Sequence, residues 1–358
     1  MNETLNNTTL KKIVYLYSEI MPYAISVMRA LVEEFNVEVE CISWDQNKRT
    51  PFVPENEKGI TFHKRSAFDK QSIIAFLKRI DPFIMYVSGR MDALYLEGIM
   101  DMKSWSKCKI VTGSDNQWEG TNKQKLAAIM SHRLYGKYFD YFWVPGRRQY
   151  EFARRMGYPN ERIISNLLTA DSRVFAGAYE KNRTHKQQRV PHNLVYAGRF
   201  AKTKGIDILI DAFLAARKEL NNDWQLTLVG SGDEISANEP FINIKGFMSG
   251  AELAENSKDW TAYCLPSVKE PWGVVVHEFA MLGLPVICST NVGAADDMVV
   301  NNYNGFIFES GNKESLKQAI IRLMSATDKE LLLMGERGHE LSKKQSPLIA
   351  AYSLMSIV

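Results

Sequence analysis

Cysteine is scarce in this chain of 358 residues: Cys41, Cys108, Cys264 and Cys288 are scattered without C-x-x-C spacing. A disulfide framework and a zinc site are therefore not expected, and a reducing compartment suits the chain. Long apolar runs are missing too, since no stretch approaches the roughly 20 residues that a helix needs to span a bilayer. The first ten residues, MNETLNNTTL, lack the basic-then-apolar layout of a signal peptide. A cytoplasmic location is the expectation. Charge of one sign is not in excess, with a formal net charge of +3, which gives no case for a general nucleic-acid binder. H-E-x-x-H and clustered His/Cys ligands do not occur, and Asp296-Asp297 is not the D-x-D pattern of metal-dependent transferases. No metal and no cofactor are expected. Short-period repeats and low-complexity segments are also lacking.

What is present is a 45% hydrophobic chain with room for two ordinary α/β domains. Apolar strands and amphipathic helices alternate: strand IVYLYS after Lys11-Lys12, helix Tyr23 to Glu34, strand Val37 to Ile42, helix Lys70 to Arg79 and strand Phe83 to Val87. Helix Ala93 to Met100, strand Lys109 to Val111, helix Lys123 to Leu134 and strand Tyr141 to Val144 continue the series. This rhythm predicts a doubly wound parallel sheet. Residues 179–192 lie in AYEKNRTHKQQRVPH, a basic and polar stretch nearly free of aliphatic residues, and read as a linker between a first domain, 1–178, and a second, 193–340. In the second, strands Asn193 to Ala197, Gln225 to Val229, Ala262 to Leu265, Val286 to Cys288 and Gly305 to Phe308 repeat the pattern, with a helix from Gly205 to Leu220. Two such halves imply a cleft between them.

The second half is organised around Cys264 to Pro285, CLPSVKEPWGVVVHEFAMLGLP. A strand stops at Pro266-Ser267, and a loop with Glu270, Pro271, Trp272 and Gly273 follows. A mostly buried helix then runs from about Val274 to Leu282, with Gly283 placed as its left-handed cap. Strand, glycine loop and helix N-terminus together make an anion site. Glu278 stands in an otherwise apolar helix, where burial demands a partner. A second loop of this kind, in YAGRFAKTKGIDILIDAF, sets Gly198, Arg199, Lys204 and Gly205 between a strand and a helix. Its two cations suit a diphosphate, Arg as a bidentate fork and Lys as a mobile point charge. Gly230-Ser231-Gly232 is weaker evidence, because Ile235 occupies the place of the third glycine of a dinucleotide fingerprint.

The Glu270–Glu278 spacing, with LGLPVICSTNVGAADDMVVNNYNGFIF after it, resembles the E-x7-E signature and continuation of retaining glycosyltransferases of the GT-B fold, especially glycosyltransferase family 4. The G-R-x-x-x-x-K-G order of Gly198 to Gly205 is similar to the family's donor-phosphate segment. The resemblance is detailed from about Asn193 to Met324 and covers the first domain only in layout. It implies two Rossmann-like domains facing across a cleft, with residues 341–358 forming a C-terminal helix that crosses back to the first. By the same resemblance, a sugar passes from a nucleotide-diphosphate-sugar donor to a glycan, lipid-linked or small-molecule acceptor. Arg199 and Lys204 hold the phosphates, Glu270 the sugar and Glu278 the ribose. Gly230, Phe247, Pro271, Trp272, Gly273 and Val274 line the donor pocket. Asp115, in the polar loop TGSDNQW after a strand, is the first-domain candidate for catalysis. The chain departs from the family at Ser114, where many members carry histidine, and at Glu19 to Pro22, where a Gly-Gly pair is usual.

A glycoside hydrolase would need two carboxylates facing each other about 5–9.5 Å apart across one bond. Glu278 behind the phosphate loop is badly placed for that. A non-catalytic nucleotide-sugar binder of the same fold remains the alternative. Lys123, Lys125, Arg133 and Lys137 along one helical stretch, with aromatics beside them, suit peripheral contact with an anionic membrane, and equally a solvated face.

Overall fold

The structure is a computed structural model that describes residues 10–46 and 52–358. The polar opening read for a signal peptide lies, apart from Leu10, outside the described residues. The chain divides into two units, Met1–Thr169 with Pro347–Val358, and Ala170–Ser346.

In the first unit β1 (Lys12–Tyr17), β2 (Glu38–Ser43), β3 (Ile60–Lys64), β4 (Ile84–Val87), β5 (Lys109–Gly113), β6 (Tyr141–Trp143) and β7 (Ile163–Ile164) form one sheet. All pairings are parallel, in the order β3-β2-β1-β4-β5-β6-β7. Helices α1 (Pro22–Phe35), α2 (Lys70–Ile80), α3 (Ala93–Met102), α4 (Asn122–Ile129) and α5 (Arg147–Arg155) connect the strands. The alternation of β1 explains why it is apolar throughout. Ile13 and Tyr15 enter one core with Met28 and Leu31 of α1, and with Ala351 and Leu354 of the C-terminal helix Pro347–Met355. Val14 and Leu16 enter the opposite core with Ile73 and Leu77 of α2 and Ile99 of α3.

The second unit has β8 (Asn193–Ala197), β9 (Gln225–Val229), β10 (Ile242–Lys245), β11 (Ala262–Leu265), β12 (Val286–Ser289) and β13 (Gly305–Phe308), in the order β10-β9-β8-β11-β12-β13. Its helices are α6 (Ser172–Gln188), α7 (Ile206–Leu220), α8 (Gly250–Asn256), α9 (Val274–Met281), the short α10 (Ala295–Met298), α11 (Lys313–Met324) and α12 (Asp328–Ser342). All six strands run parallel. Both sheets are thus Rossmann-like, with the strand order reversing between β1 and β4 in one and between β8 and β11 in the other.

Two boundaries differ from the sequence reading. The stretch expected to be a linker, 179–192, is mostly the lower half of α6, and the second unit begins at Ala170. The helix buries Phe175, Tyr179, Asn182 and Lys186. That is a proper helical stripe, but its last two members are polar, so the hydrophobic pattern fades while the helix continues. At the other end α12 runs to Ser342 and the second unit to Ser346, so the last helix begins at Pro347 rather than 341.

Candidate donor-binding site

In an open parallel sheet the crevice beyond the carboxyl ends of the strands, where strand order reverses, is where ligands bind. In the second unit that point lies between β8 and β11. Their following loops carry Arg199 with Lys204, and Glu270, respectively. The two loops are fastened to each other: Val268 N–H donates to the Thr203 carbonyl at 2.9 Å. Gly205, with φ of 65°, lies so close to Pro266 that a Cβ would sit 2.5 Å from its carbonyl oxygen. Only glycine tolerates both conditions at this spot.

The loop after β8 is held open by its neighbours. Tyr196 Oη donates to the Arg199 carbonyl at 2.8 Å, and the Arg199 side chain is exposed. Gly230 is buried beneath it, and a Cβ there would fall 1.9 Å from the Gly198 carbonyl oxygen. Gly230 therefore allows two backbones to lie side by side and offers no side-chain surface to a ligand. Phe247, placed after β10, is 57% exposed and does not belong to the core.

The loop after β11 is clamped from its far side. Glu270 N–H donates to the Asn291 carbonyl at 3.3 Å, Gly293 N–H to the Glu270 carbonyl at 3.0 Å, and Ala294 N–H to the Trp272 carbonyl at 2.9 Å. This backbone zipper fixes Glu270 before any ligand arrives. Its carboxylate forms an ion pair with Lys204 Nζ, and Ser267 Oγ lies 3.4 Å from the same oxygen. Pro271, Gly273 and Val274 are partly accessible, whereas Trp272 is buried at 1% exposure, so its ring belongs to the core.

Gly273 is the N-cap of α9 and has no side chain to satisfy the first N–H groups of the helix. Those donors and the helix dipole face outward at the loop, which favours an anion there. At its other end α9 closes on Gly283, as expected. Gly283 N–H reaches the Ala280 carbonyl at 3.0 Å, and Leu284 N–H the Phe279 carbonyl at 3.1 Å, the two bonds of a Schellman motif.

Glu278 is half-buried, with no hydrogen bond or ion pair to its carboxylate among the described residues. Burial pushes its carboxyl up to about 7, and the negative charge of Asp171 adds to the effect. A carboxylate kept in such a place without a protein donor is suited to accept hydroxyl groups from a ligand.

Sequence reasoning overlooked His277. It is fully buried, accepts the Ala170 N–H on Nδ1 at 2.9 Å, and donates from Nε2 to the Ser342 carbonyl at 2.9 Å. Burial lowers its pKa to about 4, so the imidazole is neutral. It pins α9 to the beginning and to the end of the second unit, and so sets the face on which Glu278 projects. A histidine beside Glu278 in an apolar helix was the available signal.

Asp115 belongs to the first unit, where it is exposed in the loop after β5 and its carbonyl accepts from Gln149 Nε2 at 3.3 Å. The other candidates, Gly198, Arg199, Lys204, Gly230, Phe247 and Glu270 to Glu278, share the second unit. Among the described residues no group of three His, Cys, Asp or Glu side chains is arranged to hold a metal.

The fold defines a class. HepE from Anabaena, solved in complex with UDP and glucose, superposes with a TM-score of 0.70 at 12% identity, covering 97% of this chain and 99% of that one. At that identity the likeness shows the GT-B glycosyltransferase fold, two Rossmann-like α/β domains. The sequence then narrows the assignment. Residues 180–340, a little under half of the chain, match the family described as Glycosyl transferases group 1, so the second unit carries a domain of that group. An uncharacterised glycosyltransferase of Methanocaldococcus jannaschii is 33% identical over 160 residues, 42% of this chain and 43% of that protein. The GtfA subunit of the UDP-N-acetylglucosamine–peptide N-acetylglucosaminyltransferase of Streptococcus pneumoniae is 30% identical over 192 residues, 50% of this chain and 37% of that protein. The matched region thus spans less than half the length of either relative.

Proposed function

We propose that the protein is a retaining glycosyltransferase of family 4 that uses a nucleotide-diphosphate-sugar donor. The observation that carries this reading is the pairing of Lys204 with Glu270 at the strand-order reversal of the second sheet, where the loop of Arg199 and the loop leading into the N-terminus of α9, the helix of Glu278, are fastened together. As the bond between the anomeric carbon and the phosphate oxygen breaks, negative charge grows on the leaving diphosphate. In this reading Arg199, Lys204 and the α9 N–H groups stabilise it. Glu270 faces the sugar, and Glu278 accepts the ribose hydroxyls. With these cations in the site, the reaction needs no metal. Asp115 is the first unit's candidate for catalysis. A glycan or lipid-linked acceptor in cell-surface polysaccharide or glycoconjugate synthesis suits one of the relatives, a Staphylococcus aureus glycosyltransferase named for capsular polysaccharide biosynthesis. Peripheral attachment of the first unit to an anionic membrane belongs to the same reading.

The test is a panel of UDP-, GDP- and ADP-sugars. One of them should raise the melting temperature, since a ligand that binds only the folded state stabilises it, and should donate its sugar in an acceptor screen. Turnover should persist in EDTA. Stabilisation without any transfer would favour a non-catalytic nucleotide-sugar binder. Activity lost in EDTA and restored by manganese would remove the metal-free assignment.

A further inference from the structure

Lys204 is assigned above to the donor phosphates, yet its ammonium is already engaged. It is paired with Glu270, the residue assigned to the sugar, and the two side chains are only 20% and 14% exposed. The partners differ in freedom. Glu270 is held by backbone bonds to Asn291 and Gly293, whereas Lys204 reaches it on a flexible four-carbon stem across the junction of two loops. Arg199, on the same loop as Lys204, is exposed and lies outside this pair. A diphosphate entering the site therefore meets one available cation and one that it must take from a carboxylate.

We infer that Glu270 competes with the diphosphate for Lys204, and that this exchange lowers the affinity of the spent nucleoside diphosphate relative to the intact donor. The inference rests on the donor-site reading given above. Transfer turns a phosphodiester linkage into a terminal phosphate and adds negative charge to the nucleotide. Without a competitor, fixed cations would hold that product more tightly than the substrate. With the intact donor, Glu270 gives up Lys204 but gains sugar hydroxyls, which donate to its carboxylate. With the nucleoside diphosphate alone there are no such hydroxyls, and the loss of the ion pair is uncompensated. Partly buried pairs of this kind have measurable coupling, unlike fully exposed ones. Lys204 returns to Glu270, and the product leaves.

The experiment is calorimetric titration of UDP, GDP and ADP, and of the sugar donor that the panel identifies, into four proteins: wild type, Glu270→Gln, Lys204→Met and the double variant. Glu270→Gln keeps the shape of the side chain, and thermal melts establish that each variant is folded. Glu270→Gln should bind the nucleoside diphosphate about fivefold or more tighter than wild type, with a smaller change for the intact donor. In the Lys204→Met background the same substitution should bring no gain. That second arm separates the exchange from simple repulsion between Glu270 and phosphate, which would tighten binding in both backgrounds. Equal affinity of wild type and Glu270→Gln, or an equal gain with and without Lys204, overturns the inference while leaving the donor site in place. Absence of binding by all three nucleoside diphosphates to wild type overturns the donor-site reading itself, and the inference with it. If Glu270→Gln does not fold, product inhibition of wild type decides. A nucleoside diphosphate whose inhibition constant lies well below the donor dissociation constant would overturn the exchange.

Discussion

At the scale of single residues, Glu270 and Glu278 sit in different electrostatic surroundings and should fail differently. Glu270 has a cation at hand and a fixed backbone, and in the proposed donor site it would lie where positive charge develops on the sugar. A carboxylate there acts mainly in the transition state, so Glu270→Gln should chiefly lower kcat. In the proposed donor site Glu278 would make the same contact with the ribose before and during reaction, so Glu278→Ala should chiefly raise the donor KM. Steady-state kinetics on both variants checks this division, and full kcat in Glu270→Gln would end it. Glu278 also carries a pH signature. Its folded pKa, about 7, is raised above the ordinary 4.5. Between those values the folded protein holds a proton that the unfolded chain has lost, so the stability contribution of this residue falls as pH rises from 4.5 to 7. Above pH 7 the buried charge costs roughly 3 kcal/mol at most. Glu278→Gln should therefore raise the melting temperature at pH 8 and leave it nearly unchanged at pH 4.5. An equal gain at both pH values would show that charge burial is not the cause.

At the scale of elements, α6 shows both what the sequence discloses and what it hides. Strands buried on both faces, such as β1, are legible as continuous apolar runs, and α1, α7 and α9 as helices with apolar stripes. The helix α6 was not legible below Ala178, because its buried stripe passes through Asn182 and Lys186. Asn182 Nδ2 donates to the Ala254 carbonyl at 3.1 Å and to Ser257 Oγ at 2.9 Å, so its burial is satisfied by tertiary contacts that no local pattern reveals. The same holds in the site. The loops with Arg199 and Glu270 could be read from residue types and spacing, whereas the Lys204–Glu270 pair and the clamp at His277 depend on residues 66 and 107 positions apart in their hydrogen bonds. Lys186 is the least favourable member of α6. Its Nζ is buried with no hydrogen-bond partner, and burial lowers its pKa from 10.5 to about 7, opposed only in part by the charge of Asp259. Between those values the unfolded chain holds a proton that the folded one has shed, so stability rises as pH increases from 7 towards 10.5. Lys186→Met, which fills the same space without a charge, should stabilise the protein by about 1–4 kcal/mol near neutrality. The gain should shrink at pH 9. Denaturant titrations at the two pH values measure it, and a destabilised Lys186→Met at pH 7 would mean that the amine is needed where it stands.

At the scale of the whole molecule, the composition is nearly balanced, and the distribution of charge matters more than its sum. Residues 120–139 contain Lys123, Lys125, Arg133 and Lys137 and no Asp or Glu. Within that stretch α4 has no buried residue at all. Leu126 is 59% exposed, Ile129 83% and Met130 42%. Spacings of three and four positions put these three on neighbouring parts of the helix surface, so an apolar strip lies open to water with basic residues beside it. A helix of a soluble unit normally buries such a strip. Insertion of the strip at the level of lipid headgroups, with the lysines meeting anionic phosphates, would account for both features. Each basic group near the surface contributes on the order of 1 kcal/mol with anionic lipid, and the apolar side chains add to it independently of lipid charge. The two contributions can be separated. In flotation assays the protein should rise with liposomes containing anionic lipid and stay largely unbound with neutral ones. Lys123→Glu with Lys125→Glu should abolish that preference. Leu126→Ser with Ile129→Ser should weaken binding while keeping the preference for anionic lipid. Because none of these side chains is buried, the variants should keep the wild-type melting temperature. Equal flotation with both liposome types, or unchanged flotation in both double variants, would show that α4 does not bind membranes and that its apolar strip is covered by something else.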